Sequence, residues 1–347
     1  MKHRRRFILI VFVLAIVATA CSTDSTPDEV VLLTHDSFAL SEETLQAFTA
    51  ETGITVVVQP AGDAGSMVNQ AVLTKDNPLA DVMYGVDNTF LSRAVTEGLF
   101  IPHTAADIDT VDPLLRLDGD TVTPINFGDV CVNYDIATLA SLDVPPPASL
   151  SDLASSAYKD LLVVQDPATS SPGLSFLLAT VAAYPDGSEY DWQDYWTELF
   201  ANGVAVASDW TEAYTSTFSM AGGDRPLVVS YASSPPAEVL FGELDSAPTA
   251  IMTNGCTRQV EYAGVMAGTE HEDAARLLVD FLLSVDVQED IPLNMFVYPA
   301  NTNAELPDVF VTYTTFPESP VIIEPDTVEQ NRERWIQEWT AIARSAG

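Results

Sequence analysis

Residues able to touch a ligand come in short clusters along this chain. His35-Asp36-Ser37, Asp63-Ala64-Gly65 and Asp87-Asn88 come early; Asp166 to Gly173, Ser208-Asp209-Trp210 and Tyr231 to Pro235 come later. Carboxylates, hydroxyls and aromatic rings recur in them. These types suit the holding of a polar or cationic molecule better than bond cleavage. No Gly-x-Ser-x-Gly elbow and no His-Glu-x-x-His zinc pair occurs. The four histidines are His3, His35, His103 and His271, so an acid–base or metal centre would rest on His35 and carboxylates alone. The sequence therefore argues against an enzyme, and it asks for no metal and no cofactor. The cysteines are Cys21, Cys131 and Cys256; no Cys-x-x-Cys spacing occurs and no histidine lies near Cys131.

The clusters gain meaning from what precedes them. Val30 to Leu33 reads as a buried parallel strand, and His35-Asp36-Ser37 follows its carboxyl end. Ser41 caps the next helix, with Glu42 and Glu43 in the first turn and Gly53 as its stop. Ile54 to Val58 is a second strand and Asp63 opens a second helix. Leu79 to Tyr84 is a third strand, ahead of Asp87-Asn88 and a helix over 89–98. This alternation predicts a doubly wound parallel sheet, in which ligands bind beyond the carboxyl ends of the strands. The rhythm restarts with strands at 130–134, 161–165, 204–207 and 226–231, and with an apolar helix from Leu174 to Ala183. Residues 270–283 predict an amphipathic helix with Ala274, Leu277, Leu278 and Phe281 on one face. Val328, Trp335, Trp339 and Ile342 form a packing stripe on a C-terminal helix.

The beginning of the chain reads as an export signal. Lys2, Arg4, Arg5 and Arg6 precede an apolar run from Phe7 to Val17, and Ala18-Thr19-Ala20 leads to Cys21. Small residues before a cysteine resemble a bacterial lipobox, which assigns 1–20 to a lipoprotein signal peptide. Cys21 is then the lipidated first residue of the mature chain, and polar residues 21–28 its tether. The expected location is the outer side of the cytoplasmic membrane, with the lipid as the membrane contact. Four of the 14 basic residues lie in the signal and none of the 50 acidic ones do. The mature chain thus carries ten against 50, a net of −40. This charge argues against nucleic-acid binding, and a cationic ligand is compatible with it. A mature length of 327 residues suggests two domains. In an oxidising compartment Cys131 and Cys256 either pair or remain two buried thiols.

Two α/β lobes on an exported, tethered chain suggest a solute-binding protein that closes on a small molecule by hinge motion. Specific stretches sharpen this. Thr34-His35-Asp36-Ser37-Phe38-Ala39, Gly85-Val86-Asp87-Asn88, Gln165 to Leu174 and Trp210-Thr211-Glu212-Ala213-Tyr214 resemble the thiamine-binding proteins of ABC importers. So do Ser230 to Pro235, Tyr298-Pro299-Ala300-Asn301 and Arg334 to Trp339. The resemblance covers essentially the whole mature chain, in order. It implies the type II periplasmic-binding-protein fold: two doubly wound α/β lobes joined by a hinge. Lobe one would hold 29–126 plus 263–300 and lobe two 127–262 plus 301–347, with crossings near 125–128 and 261–266 and a return near 300.

The resemblance also implies a site and partners. Asp63 matches a pocket carboxylate, Trp210 and Tyr231 match aromatic contacts, and Ser170 matches a hydroxyl at a helix start. His35, Ala64 and Phe296 stand where the family carries an aromatic, a glycine and a tryptophan; a family tyrosine is Ala237 here. Asp36 and Asp87 complete the candidate set. The implied partners are a thiamine-like small molecule and a membrane permease, with the protein acting as a monomer. Ferric iron, polyamines and another cationic heterocycle are the rival ligands. No Tyr-Tyr dipeptide occurs, which argues against iron. A purely structural surface lipoprotein is the remaining alternative.

Overall fold

The computed structural model describes residues 29–323 and 325–346. The signal, Cys21 and the tether lie outside the described residues. Among the described residues ten strands form one sheet: β1 (Glu29–Thr34), β2 (Thr55–Pro60), β3 (Val82–Asp87), β4 (Phe100–Ile101), β5 (Thr123–Asp135), β6 (Leu162–Gln165), β7 (Ala205–Ala207), β8 (Leu227–Tyr231), β9 (Thr249–Met266) and β10 (Tyr298–Pro299). The spatial order is β2-β1-β3-β9-β5-β8-β6-β7, with β4 on β9 and β10 on β5. β2-β1-β3 and β8-β6-β7 are parallel sets. Between them run β5 and β9, antiparallel to each other and to their outer neighbours.

The expected pair of parallel sheets is therefore one mixed sheet. β9 meets β3 through Glu261 to Val265, and β5 meets β8 through Val130 to Tyr134. Paired with each other, the two long strands thus join one parallel set to the other. Their length was not visible because Arg258, Gln259 and Glu261 in β9, and Asn126 and Asp129 in β5, interrupt the apolar pattern. The short outer strands are apolar because helices cover both faces: Val30, Leu32, Val82, Val163 and Val228 are all buried.

Helix starts follow local chemistry. α1 (Glu42–Thr52) is capped by Ser41, whose hydroxyl accepts from Thr44 N at 3.1 Å, and it ends at Gly53 with φ 77°. α2 (Ala64–Leu73) begins at Asp63, whose carboxylate accepts from Ala64 N at 2.8 Å. The other helices used below are α3 (Ser171–Ala183), α4 (Trp192–Ala201), α5 (Ser234–Gly242), α6 (Glu272–Leu282), α7 (Val285–Asn294) and α8 (Pro325–Ala346). On α6 the buried face is Ala274, Ala275, Leu278, Val279 and Leu282; Leu277 is nearly half exposed, contrary to the expected stripe. On α8, Val328, Trp335 and Trp339 are buried, with Trp339 edge-on to Trp196 of α4 at 5.4 Å. Arg332 of the same helix lies over the Phe90 ring in the opposite half.

β5 and β9 are joined by Cys131 and Cys256, whose Sγ atoms lie 2.09 Å apart and which are 125 residues apart in sequence. A link across so long a segment restricts the unfolded chain. Reduction should lower the unfolding free energy by about 2–4 kcal/mol, read from the denaturant midpoints of oxidised and reduced protein. Coincident midpoints would show that the link adds no stability.

Candidate functional site

A cavity of about 350 Å³ opens where the carboxyl ends of the two parallel sets face each other. From one side it is lined by His35 and Ser37 after β1 and by Asp63 and Ala64 at the start of α2. From the other come Ser171 and Pro172 of α3, the helical turn Trp210–Thr217, and Tyr231 at the end of β8. β9 contributes Gln259 and Glu261 to the floor. α5 adds Ala237, Glu238 and Phe241, and the turn before β10 adds Met295 to Val297.

The carboxylates are held by neutral donors. Glu261 accepts from Asn126 Nδ2 at 2.8 Å and from Gln259 Nε2 at 3.4 Å. Gln259 in turn accepts from the Tyr231 hydroxyl at 3.1 Å. His35 Nε2 lies 3.3 Å from Glu261 Oε1. Burial lowers the imidazole's affinity for a proton, but Glu261 opposes it, with Asp63 and Asp87 behind, and the balance leaves the pKa of His35 raised. Asp63 bridges the cavity: one oxygen caps α2 and the other accepts from Trp210 N at 3.4 Å. Burial holds its pKa above the usual carboxylate value despite those bonds. Glu238 accepts from the Tyr214 and Thr249 hydroxyls, each at 2.5 Å, and burial raises its pKa as well.

Ring surface complements this charge. Trp210 donates from Nε1 to Ser230 Oγ at 3.0 Å, and its ring stacks on Tyr214 at 4.9 Å and 13°. Tyr214 stacks in turn on Phe218. Glycines make room for the side chains: a Cβ on Gly85 (φ 92°) would overlap the His35 ring, and one on Gly128 would press on Tyr231. Carboxylates beside an ordered indole and phenol can hold a cation with a flat face.

Of the sequence candidates, His35, Asp63, Ala64, Trp210, Tyr231 and Phe296 line this cavity. Three others do not. Asp87 is fully buried and turns back on its own chain, accepting from Thr89 N, Thr89 Oγ1 and Phe90 N. Its carboxyl is pushed up to about 6, chiefly by burial. Asp36 is exposed and accepts from Gly62 N at 2.8 Å, tying two loops together outside the main cavity. Ser170 is the buried N-cap position of α3; Ser171 and Pro172 reach the cavity instead. Residues not anticipated are Tyr214, Glu238, Phe241, Gln259, Glu261 and Met295. Tyr214 had a visible signal, standing four residues after Trp210 on the same helical turn. Among the described residues no group of His, Cys, Asp and Glu is placed to hold a metal ion, and no helix is long and apolar enough to cross a membrane.

A family model described as bacterial extracellular solute-binding protein matches residues 77–317. The chain belongs to this family. It is thus an extracytoplasmic solute-binding protein, which binds rather than converts its ligand. The thiamine-binding periplasmic protein of Escherichia coli (strain K12) is 31% identical over 90% of this chain and 92% of that protein. Among solved structures, a periplasmic thiamin binding protein superimposes with a TM-score of 0.81 at 29% identity, covering 91% of this chain and 96% of the other. Iron-bound HitA from Pseudomonas aeruginosa shares the fold alone, with a TM-score of 0.71 at 20% identity over 92% of this chain and all of that one.

Proposed function

We propose that this solute-binding protein captures thiamine or a thiamine phosphate and delivers it to the membrane permease of an ABC importer. The observation that carries the reading is the juxtaposition of Asp63 and Glu261 with the Trp210–Tyr214 stack in one cavity. Thiamine has a permanently cationic thiazolium, a flat aminopyrimidine and a hydroxyethyl tail. The carboxylates answer the charge, the rings answer the flat faces, and Gln259 or Glu238 can take the amino edge. A phosphate on the tail would meet the first amides of α3 and the buried hydroxyl of Ser171. Relatives named as thiamine-binding support the assignment.

Capture works by closure of two lobes, 29–126 plus 263–300 and 127–262 plus 301–347, with β5 and β9 as the connection between them. Asp63 of lobe one and Trp210 of lobe two are then the pair that meets across the ligand. Closure expels water and strengthens each charge interaction. The protein acts as a monomer, held at the outer face of the cytoplasmic membrane by the lipid on Cys21, which keeps it close to the permease.

Calorimetric titration of the soluble domain with thiamine, its phosphates and spermidine tests the assignment. Binding of a thiamine form with a dissociation constant below about 100 μM, some −5.5 kcal/mol, is expected; none below that limit would refute it. A preference for spermidine would make the protein a polyamine receptor, a reading favoured by three carboxylates in one cavity. Trp210→Ala should weaken thiamine binding at least tenfold, since it removes a stacked indole from the wall. An unchanged constant would assign Trp210 to packing.

A further inference from the structure

The far end of the cavity holds two aromatic rings that packing does not account for. Phe241, in the last turn of α5, is 67% exposed. It stands on the same helical face as Ala237 and Glu238, four and three residues earlier, and all three line the cavity. Its aromatic neighbour is Phe296, edge-to-face at a centroid distance of 4.7 Å and 81°. Phe296 has φ 57°, the left-handed region that a bulky residue rarely adopts. Such a conformation persists only where surrounding structure enforces it, and it is found where a side chain must be placed against preference. A core role would have buried Phe241, and a simple turn would have placed glycine at 296.

The carboxylates of Asp63 and Glu261 attract any cation and do not tell a flat ring from a flexible chain. Two rings meeting edge-to-face can make that distinction. One comes from a helix end and the other from a separate turn, so a guest ring in the cavity can touch both. We propose that Phe241 and Phe296 form an aromatic clip on the cavity wall that holds a heteroaromatic cation by its ring and adds nothing to the binding of an aliphatic one. The clip deepens the proposed function and rests on it for the choice of thiamine as probe. Phe241 also supplies ring surface one helical turn beyond the small Ala237.

The test compares wild type, Phe241→Ala, Phe241→Trp and Phe296→Gly by titration with thiamine and with spermidine, alongside thermal melts. Phe241→Ala should lose about tenfold in thiamine affinity with spermidine binding unchanged, and Phe241→Trp should retain or improve thiamine binding. Phe296→Gly should lose thiamine affinity without a lower melting temperature, because glycine relieves the left-handed backbone. Unchanged thiamine binding in Phe241→Ala, or equal losses for both ligands, would overturn the clip. Should wild type bind no thiamine, the proposed function fails on its own. The clip is then judged on Phe241→Trp fluorescence. A change with N-methylquinolinium that exceeds the wild-type change through Trp210 and that spermidine does not produce supports it, and a response no greater than in wild type, or the same response to both cations, overturns it.

Discussion

Asp63→Asn should weaken binding of a cationic solute by about a hundredfold, equivalent to roughly 2.7 kcal/mol, while leaving the fold nearly as stable. Asp63 does two things at once, and asparagine separates them. Its carboxylate caps α2 through Ala64 N and accepts from Trp210 N on the opposite wall. Asparagine is as good a cap as aspartate, so helix α2 keeps its start and only the charge is lost. Inside a dry cavity one charge partner contributes several times what it does in water, and removing it from a close pair costs about 2–5 kcal/mol. Asp63→Ala should show the same loss of affinity plus about 1 kcal/mol of stability for the missing cap. Calorimetry at pH 7.5 and urea unfolding of both variants supply the two readings. If the asparagine variant binds as wild type does, Asp63 is a cap whose place in the cavity wall is incidental.

The dual role of Asp63 illustrates what can and cannot be read from residues alone. The rhythm of apolar runs and helix caps located β1 to β3 and their helices because each rests on local signals: Ser41, Gly53 and Asp63 are helix punctuation. β9 escaped because its site residues, Gln259 and Glu261, break the apolar pattern that would announce a strand. Strand-end carboxylates are ambiguous for a physical reason. Asp87, Asp36 and Asp63 occupy similar places, and each accepts backbone N–H groups. Only tertiary placement shows that Asp63 faces the cavity as well, whereas Asp87 is sealed behind it. Glu238 and Phe241 have the three-residue spacing of a packing stripe, so their function depends on the other half of the molecule opening a space in front of them. Trp210 and Tyr231 were legible because a specific motif surrounds them; the stack of Trp210 on Tyr214 required the helical turn that follows.

Affinity for the cation should fall as pH falls, and the stability of the unliganded protein should move the other way. The pKa values of His35, Asp63 and Asp87 are all raised, the last to about 6. Above those values His35 is neutral and the carboxylates are charged, so the cavity is at its most negative. As pH drops through the raised pKa of His35, its ring gains a charge 3.3 Å from Glu261 and competes with the ligand for it. Protonation of Asp63 and Asp87 removes further negative charge. Glu238, also raised by burial, faces the same cavity from α5 and adds to the trend. The thiazolium is permanently charged, so the dependence belongs to the protein. Each proton released on binding gives a slope of up to about tenfold per pH unit. A loss of about 30-fold between pH 8 and 5.5 is the expected result for two coupled groups. Stability follows the opposite sign. A group with a raised folded pKa binds its proton more tightly when folded, so its contribution is present at low pH and lost as pH rises through that value. The unliganded protein should therefore melt at a higher temperature at pH 6 than at pH 8, unless ligand is added. His35→Gln should remove the first step of the affinity profile, leaving binding at pH 6.5 close to that at pH 8. A variant that keeps the wild-type profile would move the titration to the carboxylates. A flat profile in wild type would mean that His35 and Glu261 stay paired regardless of the ligand.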